Sequence, residues 1–148
     1  MKIAIGADHA GVELKAHLIA RALEGHTVVD VGTASSDPVD YPDIAHAVVR
    51  LIRHGEADRG ILICGTGIGM AMAAGKHPGI RAATCTESFS AELSRRHNDA
   101  NVLCLGARVL GTGLAEHIVR AWLAATFEGG RHATRVGKLE DRGSGEAR

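Results

Sequence analysis

Five short apolar runs, separated by stretches of helical periodicity, leave this chain few ways to fold. The runs are Lys2–Gly6, Thr27–Val31, Gly60–Cys64, Ile80–Cys85 and Asn101–Leu105, each short enough for a buried strand. Between them Leu14, Leu18, Ile19, Ala22 and Leu23 recur at helical spacing, as do Ile44, Val48, Leu51 and Ile52. A weaker helix carries Phe89 and Leu93, and a stronger one carries Leu114, Ile118, Val119, Trp122 and Leu123. Gly25 and Gly55 fall where helix C-caps are expected. Strands alternating with helices predict an open, doubly wound, five-stranded parallel sheet with helices on both faces, a Rossmann-like three-layer α/β sandwich.

The chain's 148 residues suit one domain, expected over 1–141, with a flexible glycine- and charge-rich tail over 142–148. Gly32–Asp43 reads as a polar loop holding Asp40-Tyr41-Pro42-Asp43. Acidic and basic residues balance at 17 each, so no global field favours nucleic acid or an anionic membrane. Aromatics at 3% argue against base-stacking platforms. No apolar stretch approaches a membrane span, and the first residues enter a strand-like run rather than a signal peptide. Three cysteines, all in strand-like runs and without C-x-x-C spacing, predict reduced thiols and a cytoplasmic protein.

Ligands of open parallel sheets bind beyond the carboxyl ends of the strands. That rule selects Asp8-His9, Thr33, Cys64–Gly69 and Arg108. Asp8 alone reads as a helix N-cap or as a functional carboxylate. Cys64 alone is an ordinary core thiol. The following Gly65-Thr66-Gly67-Ile68-Gly69-Met70 changes that reading, because such glycines let backbone approach a ligand and the turn opens a helix. A thiol then lies beside helix N-terminal amides, a place that binds anions and favours thiolate. Cys85 and Cys104 lack such a turn and read as core.

The glycine spacing is neither a dinucleotide fingerprint nor a Walker loop, and no cofactor is expected. His54-Gly-Glu56 imitates the start of a zinc deaminase signature, but no Pro-Cys-x-x-Cys follows. No histidine or cysteine spacing forms a metal quartet, so no metal is expected. His17, His26, His46, His54, His77 and His117 read as ordinary helix or surface residues. His97, in Arg95-Arg96-His97-Asn98-Asp99, directly precedes the fifth strand. The helix before that strand returns to the amino edge of the sheet. His97 therefore lies far from its own Cys64 turn, and is either a structural cap or part of a partner subunit's site. Arg131 and Arg135, four apart, fall on one face of a helical turn and suit a phosphate.

Gly6-Ala-Asp8-His9-Ala-Gly11, Asp40-Tyr41-Pro42, Gly60-Ile-Leu-Ile-Cys64-Gly-Thr-Gly67, Ser94-Arg-Arg-His97-Asn98-Asp99 and Gly129-Gly-Arg131-His132 occur in that order. Together they resemble the type B ribose-5-phosphate isomerase family, which includes galactose-6-phosphate isomerase subunits, over about residues 2–137. The resemblance implies a metal-free aldose–ketose isomerase of the pentose phosphate network that interconverts ribose 5-phosphate and ribulose 5-phosphate through an enediolate. It implies a homodimer with shared sites, leaving open whether dimers pair into tetramers.

By matching position, Cys64 is the base, and His97 with Asp8 opens the sugar ring. Thr66 and the amides of Gly65, Gly67, Ile68, Gly69 and Met70 bind the enediolate. His9, Arg108, Arg131 and Arg135 hold the phosphate, and Tyr41 and Asn98 line the sugar pocket. Some family members carry serine at the cysteine position and a glutamate in the following helix; this chain has Cys64 and no such glutamate.

The chain has Ala71 and Ala73-Ala-Gly75-Lys76 where the family commonly reads Ser and Ala-Ala-Asn-Lys. The sugar is therefore open to erythrulose 4-phosphate, allose 6-phosphate or galactose 6-phosphate. A cysteine-nucleophile hydrolase or transferase and a non-catalytic phosphosugar-binding module are the readings from other classes.

Overall fold

A computed structural model describes residues 1–140. The expected tail over 142–148 lies outside the described residues. Five parallel strands, β1 (Lys2–Ala7), β2 (Thr27–Asp30), β3 (Arg59–Cys64), β4 (Ala82–Thr84) and β5 (Val102–Gly106), form one sheet. Their order is β2-β1-β3-β5-β4. Six helices accompany them: α1 (Val12–Arg21), α2 (Tyr41–Arg53), α3 (Ile68–Ala74), α4 (Ser88–Asn98), α5 (Thr112–Ala124) and α6 (Arg131–Leu139). Among the described residues no helix is long and apolar enough to cross a membrane.

Strand side chains alternate between faces, and the core divides accordingly. Ile3, Ile5, Ile61, Ile63, Leu103 and Leu105 face one way and pack with Leu14 and Leu18 of α1 and Ile118 and Trp122 of α5. Ala4, Leu62, Cys64, Val102 and Cys104 face the other and meet Val48 and Val49 of α2 and Met70 and Ala74 of α3. Both faces are covered, as the unbroken apolar runs require. Cys64 thus points to the α2/α3 side at the carboxyl edge.

Three elements differ from the sequence reading. β4 is shorter than Ile80–Cys85, because the Ile80 amide turns back to the His77 carbonyl and Arg81 is held by the Asn101 side chain. α2 begins inside the expected loop, at Tyr41, where Pro42 supplies a preset φ in the first turn. The segment after Gly130 forms α6, nine residues long and packed on α4 through the buried His132.

On α4 the expected anchor Phe89 is 69% exposed, and Ala91, Ser94 and Arg95 face inward instead. The helix is started by Glu87, whose carboxylate accepts from the Phe89 and Ser90 amides. It is stopped by Asp99 at φ 49°, whose carboxylate takes Arg95 at 2.8 Å and Arg81 at 2.7 Å. This double clamp fixes the end of α4, where His97 and Asn98 stand.

Candidate active site

At the carboxyl edge, Cys64 lies opposite Gly106 in the β3–β5 ladder, and the chain then turns through Gly65–Gly67 into α3. The Gly67 amide donates to Cys64 Sγ at 3.1 Å, and the Thr66 hydroxyl accepts from the Ile68 amide at 3.4 Å. The first α-helical bond runs from the Ala71 amide to the Gly67 carbonyl. The amides of Gly69 and Met70 therefore have no carbonyl of their own helix to bind.

Gly67 has φ 80°, and a Cβ there would meet the Leu105 backbone at 3.0 Å. We expect Gly67→Ala to destabilise the fold by about 2 kcal/mol or more, since a left-handed non-glycine residue costs roughly 1–2 kcal/mol before any clash. Urea denaturation reads this, and an unchanged midpoint would refute the strain.

Neighbours converge on this turn. A Cβ on Gly69 would fall 2.8 Å from the Tyr41 ring, so that ring lies directly over the glycine backbone. The Arg108 guanidinium rests against Gly65, with Nη1 3.4 Å from where a Cβ would sit. The Arg108 amide donates to the Gly65 carbonyl.

Asp8 follows β1, with its amide on the Ile63 carbonyl at 3.0 Å. Its Oδ1 accepts from the Ala10 amide at 2.9 Å. α1 has Gly11 as its N-cap and no side-chain cap, so Asp8 closes a local turn and does not cap the helix. His9 Nδ1 faces the Val39 amide at 3.4 Å and ties the loop before α2 to this edge. Thr33 also reaches this edge, its amide on the Ala7 carbonyl and its carbonyl taking the buried Lys15 ammonium at 2.8 Å.

A second group gathers at the other edge. His97 and Asn98 end α4 just before β5, whose first residue Val102 pairs with Gly60 rather than with Cys64. Four strand steps of about 3.3 Å put roughly 13 Å between the two edges. A hollow of about 290 Å³ there is lined by His97, Asn98, His132, Arg135, Val136 and Leu139. Arg131 and Arg135, both exposed, are one turn apart on α6.

A second hollow, of about 430 Å³, lies beside Asn98 between His77, Arg81 and Leu139. Cys64 itself is only 6% exposed and lines neither hollow. The expected residues therefore form two clusters. Asp8, His9, Tyr41, Cys64, Thr66, the glycine turn and Arg108 make one; His97, Asn98, Arg131 and Arg135 make the other. Within one chain Asp8 is beside Cys64 and not beside His97.

The second cluster contains two residues the sequence reading did not select. His97 and His132 stack with centroids 4.2 Å apart and planes 3° apart, and Glu128 Oε2 lies 3.7 and 3.6 Å from their Nε2 atoms. Burial first, then His97, pushes the His132 imidazole below its usual range. The Arg96 guanidinium holds the Glu128 carboxyl below the ordinary carboxylate range. By residue type these three could ligate a cation, their donor atoms lying within 4.8 Å of one another. Stacked rings, however, direct their lone pairs side by side and not toward one centre, and Arg96 already occupies Glu128 Oε1.

The other thiols are inert by environment. Burial raises the Cys85 thiol to about 11 and pushes Cys104 up further. Three histidines read as ordinary make cross-element bonds. His17 meets Glu116 at 2.6 Å between α1 and α5, and His46 bonds His77 at 2.8 Å between α2 and the segment after α3.

The sequence matches the family described as Ribose/Galactose Isomerase over residues 3–139. It is 54% identical over 136 residues to ribose-5-phosphate isomerase B of Escherichia coli strain K12, covering 91% of each chain. It is 47% identical over 143 residues to D-erythrulose-4-phosphate isomerase of Pectobacterium atrosepticum, covering 94% of this chain and 93% of that one. The solved structure of Clostridium thermocellum ribose-5-phosphate isomerase B superposes with TM-score 0.92 at 56% identity, covering 95% of this chain and 96% of that one.

Proposed function

The chain belongs to the ribose/galactose isomerase family, and from that premise we infer that it is a sugar-phosphate isomerase interconverting ribose 5-phosphate and ribulose 5-phosphate. The observation that carries the mechanism is the Gly67 amide aimed at Cys64 Sγ at 3.1 Å, at the mouth of a turn whose next amides are free of helical partners. Cys64 removes the proton on C2 of the open aldose and returns it to C1. Charge that develops on the enediolate oxygens is met by the Thr66 hydroxyl and the amides of Gly65–Met70. Losing one such donor typically costs roughly 3 kcal/mol of barrier.

Two half-sites at opposite edges of one chain support a homodimer in which each site takes Cys64, Asp8, His9, Tyr41 and Arg108 from one subunit. The partner supplies the equivalents of His97, Asn98, Arg131 and Arg135. Exposed apolar side chains favour association: Ile68 and Met72 on α3, Phe89 on α4 and Leu139 on α6. In the dimer Asp8 meets His97 across the interface, and His9 and Arg108 join the α6 arginines around one phosphate. The reaction is intramolecular hydrogen transfer, so these residues need only hold, open and deprotonate the sugar. Cytoplasmic location follows from the same metabolic reading.

A panel of phosphorylated tetroses, pentoses and hexoses, assayed for interconversion and for deuterium entry at C2, tests the substrate. Ribose 5-phosphate should lead the others by about 10-fold or more, the scale set by one misplaced carbon in a fitted pocket. A preference for erythrulose 4-phosphate would overturn the assignment. Binding without C2 exchange would make the chain a phosphosugar-binding module.

A further inference from the structure

We propose that Glu128 is a positioning residue for sugar-ring opening, holding His97 and His132 as a stacked imidazole pair and retaining one proton on it. The proposal rests on the isomerase reading and on His97 as the ring-opening acid.

Glu128 is pinned from two directions. Its amide donates to the Arg96 carbonyl at 3.0 Å, and its Oε1 accepts from Arg96 Nε at 2.7 Å and lies 2.6 Å from Nη2. Oε2 is left facing Nε2 of both histidines at nearly equal distances, 3.7 and 3.6 Å. Two stacked imidazoles 4.2 Å apart repel if both are charged. A carboxylate placed evenly between them favours a single shared proton.

The other charges facing the pair come from both helices that carry it. Arg96 and Glu92 stand on α4, and Arg131 and Arg135 on α6. Arg96 is matched by Glu92 and Glu128, whereas Arg131 and Arg135 oppose a charged ring. His132 is the more buried ring and is driven toward its neutral form, whereas His97 is the more exposed of the two. His97 borders the hollow with Asn98 and Arg135.

In the furanose of ribose 5-phosphate, the His97 imidazolium gives its proton to the ring oxygen O4 as the C1–O4 bond breaks. The anomeric hydroxyl loses its proton to Asp8 of the adjoining subunit, its O–H electrons forming the second C1–O bond of the aldehyde. One proton enters and one leaves, with no net oxidation. Glu128 touches none of these atoms and acts through the rings.

Ribulose 5-phosphate carries its phosphate on O5 and cannot close a furanose, so its deprotonation at C1 requires no ring opening. This separates the step that Glu128 serves from the chemistry of Cys64. For Glu128→Gln we expect turnover of ribose 5-phosphate to fall about 10-fold or more, less than the roughly 100- to 10,000-fold for losing an acid–base group outright, because His97 itself is kept. Deuterium exchange at C1 of ribulose 5-phosphate should stay within about twofold of wild type, since the enediolate machinery is untouched.

Without the carboxylate, the pair loses its proton at lower pH. The alkaline limb of kcat/KM for ribose 5-phosphate should therefore shift to lower pH in the variant. Parallel losses with both sugars, or an unmoved alkaline limb, would reduce Glu128 to a structural tie and overturn the proposal. A wild-type protein that exchanges neither sugar would overturn the isomerase reading itself.

Discussion

Cys64→Ala should lower turnover of ribose 5-phosphate by about 1,000-fold or more, with KM changed by no more than about threefold. General-base removal typically costs 100- to 10,000-fold, and a loss confined to kcat marks a group that works in the transition state. The size of the effect follows from the turn. A free thiol is only a few per cent ionised at neutral pH yet strongly nucleophilic, and here the Gly67 amide is already directed at the sulfur. Alanine removes the sulfur but keeps Gly67 at φ 80°, the Tyr41 ring over Gly69 and Arg108 against Gly65. The phosphate and sugar contacts should survive, so calorimetric binding of ribose 5-phosphate should persist. Cys85→Ala and Cys104→Ala are controls of the opposite kind: those thiols are buried within the core clusters, and their loss should lower stability rather than catalysis. Substantial turnover by Cys64→Ala would transfer the base to another residue.

The readable parts of this molecule are those encoded locally. The apolar run Gly60-Ile-Leu-Ile-Cys64 marks a buried strand that ends on the thiol, and three alternate glycines mark the turn that follows. The carboxyl-edge rule then gathers Asp8, His9 and Arg108 around it. Residues joined only through folding were harder to find. Glu128 meets Arg96 across 32 positions of sequence, and nothing in Glu-Gly-Gly announces that pairing. A spacing of four between Glu128 and His132 was the one available signal. Phe89 was misleading for a related reason. Apolarity at helical spacing marks a face to be covered, and it does not distinguish cover by the same chain from cover by another. The buried face of α4 is instead made by Ala91, Ser94 and Arg95, whose small or clamped side chains carry no hydropathy signal. α6 was equally quiet, having only His132 buried among nine residues.

Co-assembly of Cys64→Ala chains with His97→Asn chains should restore about a quarter of wild-type activity on ribose 5-phosphate. Random pairing at equal amounts makes half of the dimers mixed. In a shared-site dimer each mixed pair holds one site with both defects and one with neither, so a quarter of all sites are whole. Each homodimer, by contrast, lacks one essential group in both sites. The geometry makes this outcome a strong test. Cys64 and His97 lie at opposite edges of one sheet, roughly 13 Å apart along the strands, too far for one pentose carbon frame to meet both within a chain. Ribose 5-phosphate must be the substrate, because ribulose 5-phosphate bypasses ring opening and would let the His97→Asn homodimer exchange protons unaided. Native mass spectrometry establishes that mixed dimers have formed. With that shown, activity no greater than the sum of the two variants would place His97 outside the reacting site and leave the α4/α6 cluster a structural feature of the fold.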